Sequence, residues 1–136
     1  MELKAEVWDR VMAFATQLAN EAQPEKYRES YEALKDYCES QGAAGYEHPF
    51  LWETLADFTE DDRAAIPLYL KALDKASWPD AHAYRASIRF ALAERYRRTG
   101  EPERAREYAI AADDDARQID DRQLRRRIGA FLRERE

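Results

Sequence analysis

Three residues in this chain have the types for metal or nucleophilic chemistry: His48, His82 and Cys38. The histidines lie 34 residues apart, and neither has a second strong ligand three or four positions away. A zinc site needs three or four convergent His, Cys or carboxylate groups, so no metal and no cofactor is expected. His48 directly precedes Pro49 and reads as an exposed residue ahead of a helix. Cys38 lies on an apolar stripe with Glu39 beside it, surroundings that raise a thiol pKa and make a poor nucleophile. Cys–His catalysis would need one of the histidines aimed at it, and nothing in the order of residues says so. The acid runs Glu60–Asp62 and Asp113–Asp115 fall near helix ends and read as caps or solvated faces, not as an acid/base pair. GAAGYEH at residues 42–48 is the one glycine-rich break, but no Lys-Ser or Lys-Thr follows it and no strand precedes it, unlike a phosphate loop. No catalytic residue is expected.

Recognition chemistry remains. The tail DDRQLRRRIGAFLRERE carries six arginines, Arg122, Arg125, Arg126, Arg127, Arg133 and Arg135. They point around a helix instead of forming one stripe, and Glu134 and Glu136 interrupt them, so nucleic-acid binding is disfavoured. Eight Tyr and three Trp exceed what alanine-rich hairpins need inside. Tyr and Trp bring large contact area at low entropic cost. Trp8, Tyr46 and Trp78 are the ones expected at the surface.

The elements that must position these residues are helices. The composition is 45% hydrophobic and 37% charged with four Gly and five Pro, which favours a soluble all-α domain over a sandwich or a disordered chain. One cysteine excludes an internal disulfide and agrees with a reducing compartment. MELKAEVWDR has no basic start followed by an apolar run, and no apolar stretch reaches the roughly 20 residues that span a bilayer. The expectation is a bacterial, cytoplasmic protein with no membrane partner. A first helix is read from Glu2 to about Ala22, with Leu3, Val7, Val11, Met12, Phe14, Ala15 and Leu18 on one stripe and Trp8 on its shoulder. A second opens at Pro24 and buries Tyr27, Tyr31, Leu34 and Cys38, with Gly42 as its C-cap. Pro49 opens a third. Asp61 or Asp62 caps a fourth, with Pro67 inside it. Asp80 caps a long fifth that Gly100 closes, Pro102 opens a sixth, and Asp120 or Asp121 caps a seventh.

Residues 49–73, PFLWETLADFTEDDRAAIPLYLKAL, resemble a tetratricopeptide (TPR) unit. Trp52, Leu55 and Ala56 match the W-x2-L-G part of that pattern, and Ala65, Tyr69, Ala72 and Leu73 match A-x3-F-x2-A-L. Trp52 to Ala65 is about three residues short of the family spacing, roughly one helical turn. Leu92, Ala93, Tyr96, Gly100, Ala105 and Ala112 reproduce the pattern a second time. The two units are offset by 40 residues (Ala65 to Ala105), longer than the roughly 34 typical of the family. The resemblance implies an all-α, TPR-like helical-hairpin solenoid of about seven helices in one domain, 1–136. Its parts are an N-terminal hairpin (1–41), units at 49–76 and 80–117, and a capping helix (120–136).

The resemblance further implies protein–protein recognition on a concave face built from the first helix of each hairpin. That face would display Phe50, Glu53 and Asp57, then Ser87, Phe90, Glu94, Arg97 and Arg98. Apolar and charged groups together suit a polypeptide. Residues 1–62 hold 15 acidic and 5 basic side chains against 13 and 17 in residues 63–136, so a basic partner is expected at the N-terminal half. The specific form expected is an immunity protein that neutralises a basic toxin; a generic adaptor or regulatory module is the alternative. Homo-oligomerisation stays open.

Overall fold

The computed structural model describes residues 1–134; Arg135 and Glu136, expected in the last helix, lie outside the described residues. Among the described residues there are seven α-helices and no strand. They are α1 (Ala5–Ala19), α2 (Pro24–Ala43), α3 (Pro49–Asp57), α4 (Asp62–Lys75), α5 (His82–Arg98), α6 (Pro102–Gln118) and α7 (Arg122–Arg133). No helix among them is long and apolar enough to cross a membrane.

The helix starts follow local chemistry. Pro24, Pro49 and Pro102 each open a helix, where the missing N–H is no loss. Asp61 Oδ2 accepts from the Ala64 amide at 3.1 Å, and Asp121 Oδ1 accepts from the Leu124 amide at 3.0 Å. Gly100 follows α5 at φ 82°, a left-handed position that favours glycine. Pro67 is accommodated inside a continuous α4.

Three boundaries differ from expectation. α1 is shorter at both ends than residues 2–22. α2 runs through Gly42, and Gly45 takes the left-handed position at φ 89°. Gly42 lies inside the helix against Glu47 and Trp52, where a β-carbon would meet Glu47 Oε1 at 3.2 Å and the Trp52 ring at 3.4 Å. Asp80 does not cap α5, which starts one residue later, at His82 behind Ala81, with no side-chain cap. Arg85 fixes that loop by donating to the carbonyls of Ala76, Trp78 and Pro79 at 2.9, 2.9 and 3.1 Å.

Each helix packs on the next, and α1–α3 and α3–α5 also touch directly, so these three form one layer with α2, α4 and α6 behind. α5 is central and buried on most sides, from Ala86 and Ile88 to Leu92, Ala93 and Tyr96. Ala65, Ala72, Ala105, Ala109 and Ala112 are buried where helices meet, which lets backbones approach closely. Leu34, Leu51, Leu55, Leu92, Ile88 and Ile128 fill the space between, each worth about 2 kcal/mol of burial. α7 lies on α6 through buried Ile128 and Phe131, with Leu124 and Leu132 half-buried. It also reaches α5, where Phe131 meets Phe90 edge-on at 5.6 Å between centroids. The tail helix therefore extends the α1–α3–α5 layer.

Candidate functional site

Five of the eight expected recognition residues, Asp57, Ser87, Phe90, Glu94 and Arg98, line one groove of about 280 Å³ between α3, α5 and α7. Arg127 of α7 lines it too. A second, shallower hollow continues past Phe90 and Arg97 to Phe131 and Glu134. The side chains are not equally open. Ser87 and Arg98 are exposed and Glu94 is half-exposed. Asp57 is exposed as a residue, but its carboxyl sits low in the groove. Its Oδ1 accepts from Tyr69 Oη at 2.5 Å, and burial of that end raises its pKa.

Phe90 and Glu53, expected on the open face, are buried. Phe90 is covered by Phe131 and by the Arg127 guanidinium, 5.1 Å from its ring centroid. Glu53 is closed between α3 and α5, where Ser87 Oγ donates to its Oε2 at 2.5 Å. Burial pushes its carboxyl up to about 7, against the pull of that hydrogen bond. Phe50 lies outside the groove, half-buried and stacked on Trp8 at 5.0 Å. Arg97 donates to the Phe131 carbonyl at 2.7 Å and to Glu134 at 2.8 Å, and its guanidinium lies 3.3 Å from the Phe131 centroid. It is committed to holding α7.

Arg95 was not among the expected residues, and it organises the groove floor. The residue is only 8% exposed. It donates to the carbonyls of Thr59 (2.8 Å) and Ala56 (3.3 Å) and to Asp62 Oδ1 (3.2 Å). These acceptors lie at the C-terminal end of α3, in the turn after it and at the start of α4, so a planar five-donor fork on α5 ties the α3–α4 turn to the central helix. Arg98 shares the same Asp62 oxygen at 3.0 Å. No periodicity marks Arg95; the only sequence signal is a cation among the apolar positions of α5.

The residues with catalytic types are placed apart from this groove. His48 is 1% exposed, contrary to the expected surface position. It caps α3 by accepting from the Phe50 amide at Nδ1 (3.1 Å), and it lies among Tyr46, Trp78 and Tyr84. Burial lowers its pKa, and the N-terminal amine adds to this. Tyr46 and Trp78, expected at the surface, are half-buried by that cluster; Trp8 remains exposed. Asp115, expected on a solvated face, is buried and takes Arg89 at 2.5 Å, His82 at 3.2 Å and Arg85 at 3.5 Å. That cluster ties α5 to α6. Cys38 is buried, its Sγ donates to the Leu51 carbonyl at 3.4 Å, and burial pushes the thiol up to about 12. Among the described residues no group of three or more His, Cys, Asp or Glu is placed to hold a metal ion.

The trough is open and lined by the carboxylates of Asp57 and Glu94, the arginines Arg95, Arg98 and Arg127, and Phe90. No family model, no curated protein and no solved structure matches the chain.

Proposed function

We propose that the chain is a protein–protein interaction module that binds a polypeptide across the α3–α5–α7 trough. The observation that carries this reading is the convergence of Asp57, Ser87, Glu94, Arg98 and Arg127 around the buried Phe90 wall. Both signs of charge within one open trough suit the alternating donors, acceptors and side chains of a peptide better than a small metabolite. The same reading takes the hairpins as TPR-like units of a solenoid, with α7 as a first-layer helix that also ends the array. Its specific form is an immunity protein, with the acidic N-terminal half steering a basic toxin toward the trough in the cytoplasm.

The test is capture of the product of an adjoining gene, followed by association and dissociation rates for groove variants. Reversals at Glu94 and Arg98 should change binding, because both side chains are open in the trough. A reversal at Arg126, exposed on the far side of α7, should leave both rates unchanged. If the Arg126 variant loses the partner and the trough variants keep it, the binding face is elsewhere. Protection of cells against that gene product would mark immunity; binding without protection would mark an adaptor.

A further inference from the structure

Ser87 is exposed in the trough, yet its hydroxyl proton is turned inward. Its Oγ donates at 2.5 Å to Oε2 of Glu53, a residue only 8% exposed. The pair joins the trough surface of α5 to a carboxyl closed inside the contact between α3 and α5. A hydroxyl has a single proton and two lone pairs, so it donates to one partner and accepts from others. A carboxylate can only accept, whereas a protonated carboxyl can donate. The charge of Glu53 therefore sets the direction of this hydrogen bond.

The surroundings bring that charge within reach of ordinary pH. Burial takes the carboxyl out of water, and Asp57, one turn along α3, adds a like charge. The Ser87 bond pulls the other way, and the carboxyl ionises at about 7. The other groups packed around α3 are engaged separately. Tyr69 of α4 donates to Asp57, and the Arg95 guanidinium of α5 acts on that same carboxyl. Lys71 of α4 lies over Trp52 and pairs with Glu47, and Cys38 of α2 donates to the Leu51 carbonyl. Trp8 of α1, uncharged, stacks on Phe50. Tyr84 of α5 is raised by burial and by Glu53, so it stays neutral and adds no charge.

From this arrangement we infer that Glu53 is a proton-controlled switch of the trough's recognition chemistry, acting through Ser87. Ionised, it holds the Ser87 proton, and Oγ offers the trough lone pairs alone. Protonated, its own O–H donates to Oγ, and the Ser87 proton is free for a backbone carbonyl of a bound polypeptide. A polypeptide covering Ser87 also removes Glu53 further from water, which favours the neutral form. Binding then takes up a proton and weakens as pH rises through neutrality. The linkage to binding rests on the trough being the polypeptide site; the reversal at Ser87 does not.

The experiment follows the carbon-13 Cβ resonance of Ser87 in the unbound full chain across about pH 5 to 9, with circular dichroism to check the fold. The resonance should shift with a midpoint near 7, shared by the Glu53 carboxyl resonance. In Glu53→Gln, whose amide can donate to Oγ but cannot ionise, the shift should vanish. Glu94→Gln removes a half-exposed carboxyl of the same trough and should leave it in place. A flat Ser87 resonance, or one that still titrates in Glu53→Gln, overturns the proposal. Should Glu53→Gln disturb the fold, Ser87→Ala gives a second reading: the Glu53 midpoint should rise, because its donor is lost. An unchanged midpoint overturns the proposal equally. The second arm uses the adjoining-gene product, whose binding should be about tenfold weaker at pH 8 than at pH 6, with the dependence lost in Glu53→Gln. Flat binding that the Glu94 and Arg98 reversals do weaken overturns the switch. Flat binding that those reversals leave untouched overturns the trough as the polypeptide site instead, and the reversal then stands on the Ser87 shift.

Discussion

Arg127 lies over the ring of Phe90, its guanidinium 5.1 Å from the centroid, so an arginine of the tail helix roofs the aromatic wall of the trough. Cation–π contact is worth about 0.5–2 kcal/mol, rising as the pair is desolvated. Together with Phe131 it makes α7 part of the site's wall.

Deleting residues 120–136 should therefore expose Phe90 and the α6 surface under Ile128, lowering melting temperature and solubility together. Scanning calorimetry and light scattering on the truncated chain check this. Unchanged melting with a monodisperse monomer would contradict the packing of α7.

Arg95→Lys should cost about 2–4 kcal/mol in urea denaturation, because an ammonium cannot reach Thr59, Ala56 and Asp62 at once. A midpoint shift no larger than that of a surface substitution would show the fork to be decorative.

Glu53 makes stability depend on pH in a direction set by its raised pKa. The folded carboxyl ionises at about 7 and the unfolded one near 4.5. The unfolded state thus sheds its proton first as pH rises, and stability is lost progressively from pH 4.5 up to 7. Gln keeps an oxygen for Ser87 and has no proton to lose. Glu53→Gln should match the wild type near pH 4.5 and exceed it by about 2–3 kcal/mol at pH 8. Parallel curves for the two proteins would contradict the burial of this carboxylate.

His48 acts with the opposite sign. Its folded pKa is held below 6.5, so the unfolded chain takes up the proton first as pH falls, and stability present above 6.5 is lost below it. His48→Asn, which preserves a capping oxygen for the Phe50 amide, should lose that acid-side slope. The check is the wild-type minus variant stability across pH 5–7; a constant difference would refute it.

Ala105 is buried where α6 meets α5. Ala105→Leu should overpack that contact at about 1–3 kcal/mol, read from denaturant midpoints. Coincident midpoints would mean that the helices have slack there.

Much of the helical plan was legible in the sequence because its signals are local. Pro24, Pro49 and Pro102 need no N–H, Asp61 and Asp121 reach their own third amide, and Gly100 takes a backbone angle that side chains resist. What escaped was whatever depends on which surfaces meet. His48 reads as polar, yet a capping bond at Nδ1 and a pocket of three aromatics make it part of the interior. Asp80 reads as a cap, but Arg85 already closes that loop through three carbonyls. Asp57, Ser87, Phe90, Glu94 and Arg98, which the tetratricopeptide resemblance implied for one face, are five of the ten residues lining the trough. Their exposure was not legible, since Phe90 is roofed by a helix 37 residues further along the chain, at Arg127.

The closed environment of Cys38 has a practical side. It is the chain's single thiol, it is buried, and its pKa of about 12 leaves almost no thiolate at neutral pH. The native thiol should therefore react slowly with maleimides, and a cysteine introduced at an exposed position should take a dye or spin label ahead of it. Paired labels on α1 and α7 can then report the distance between the ends of the helical layer, with no need to remove the natural cysteine and the packing around Leu51 that it supports.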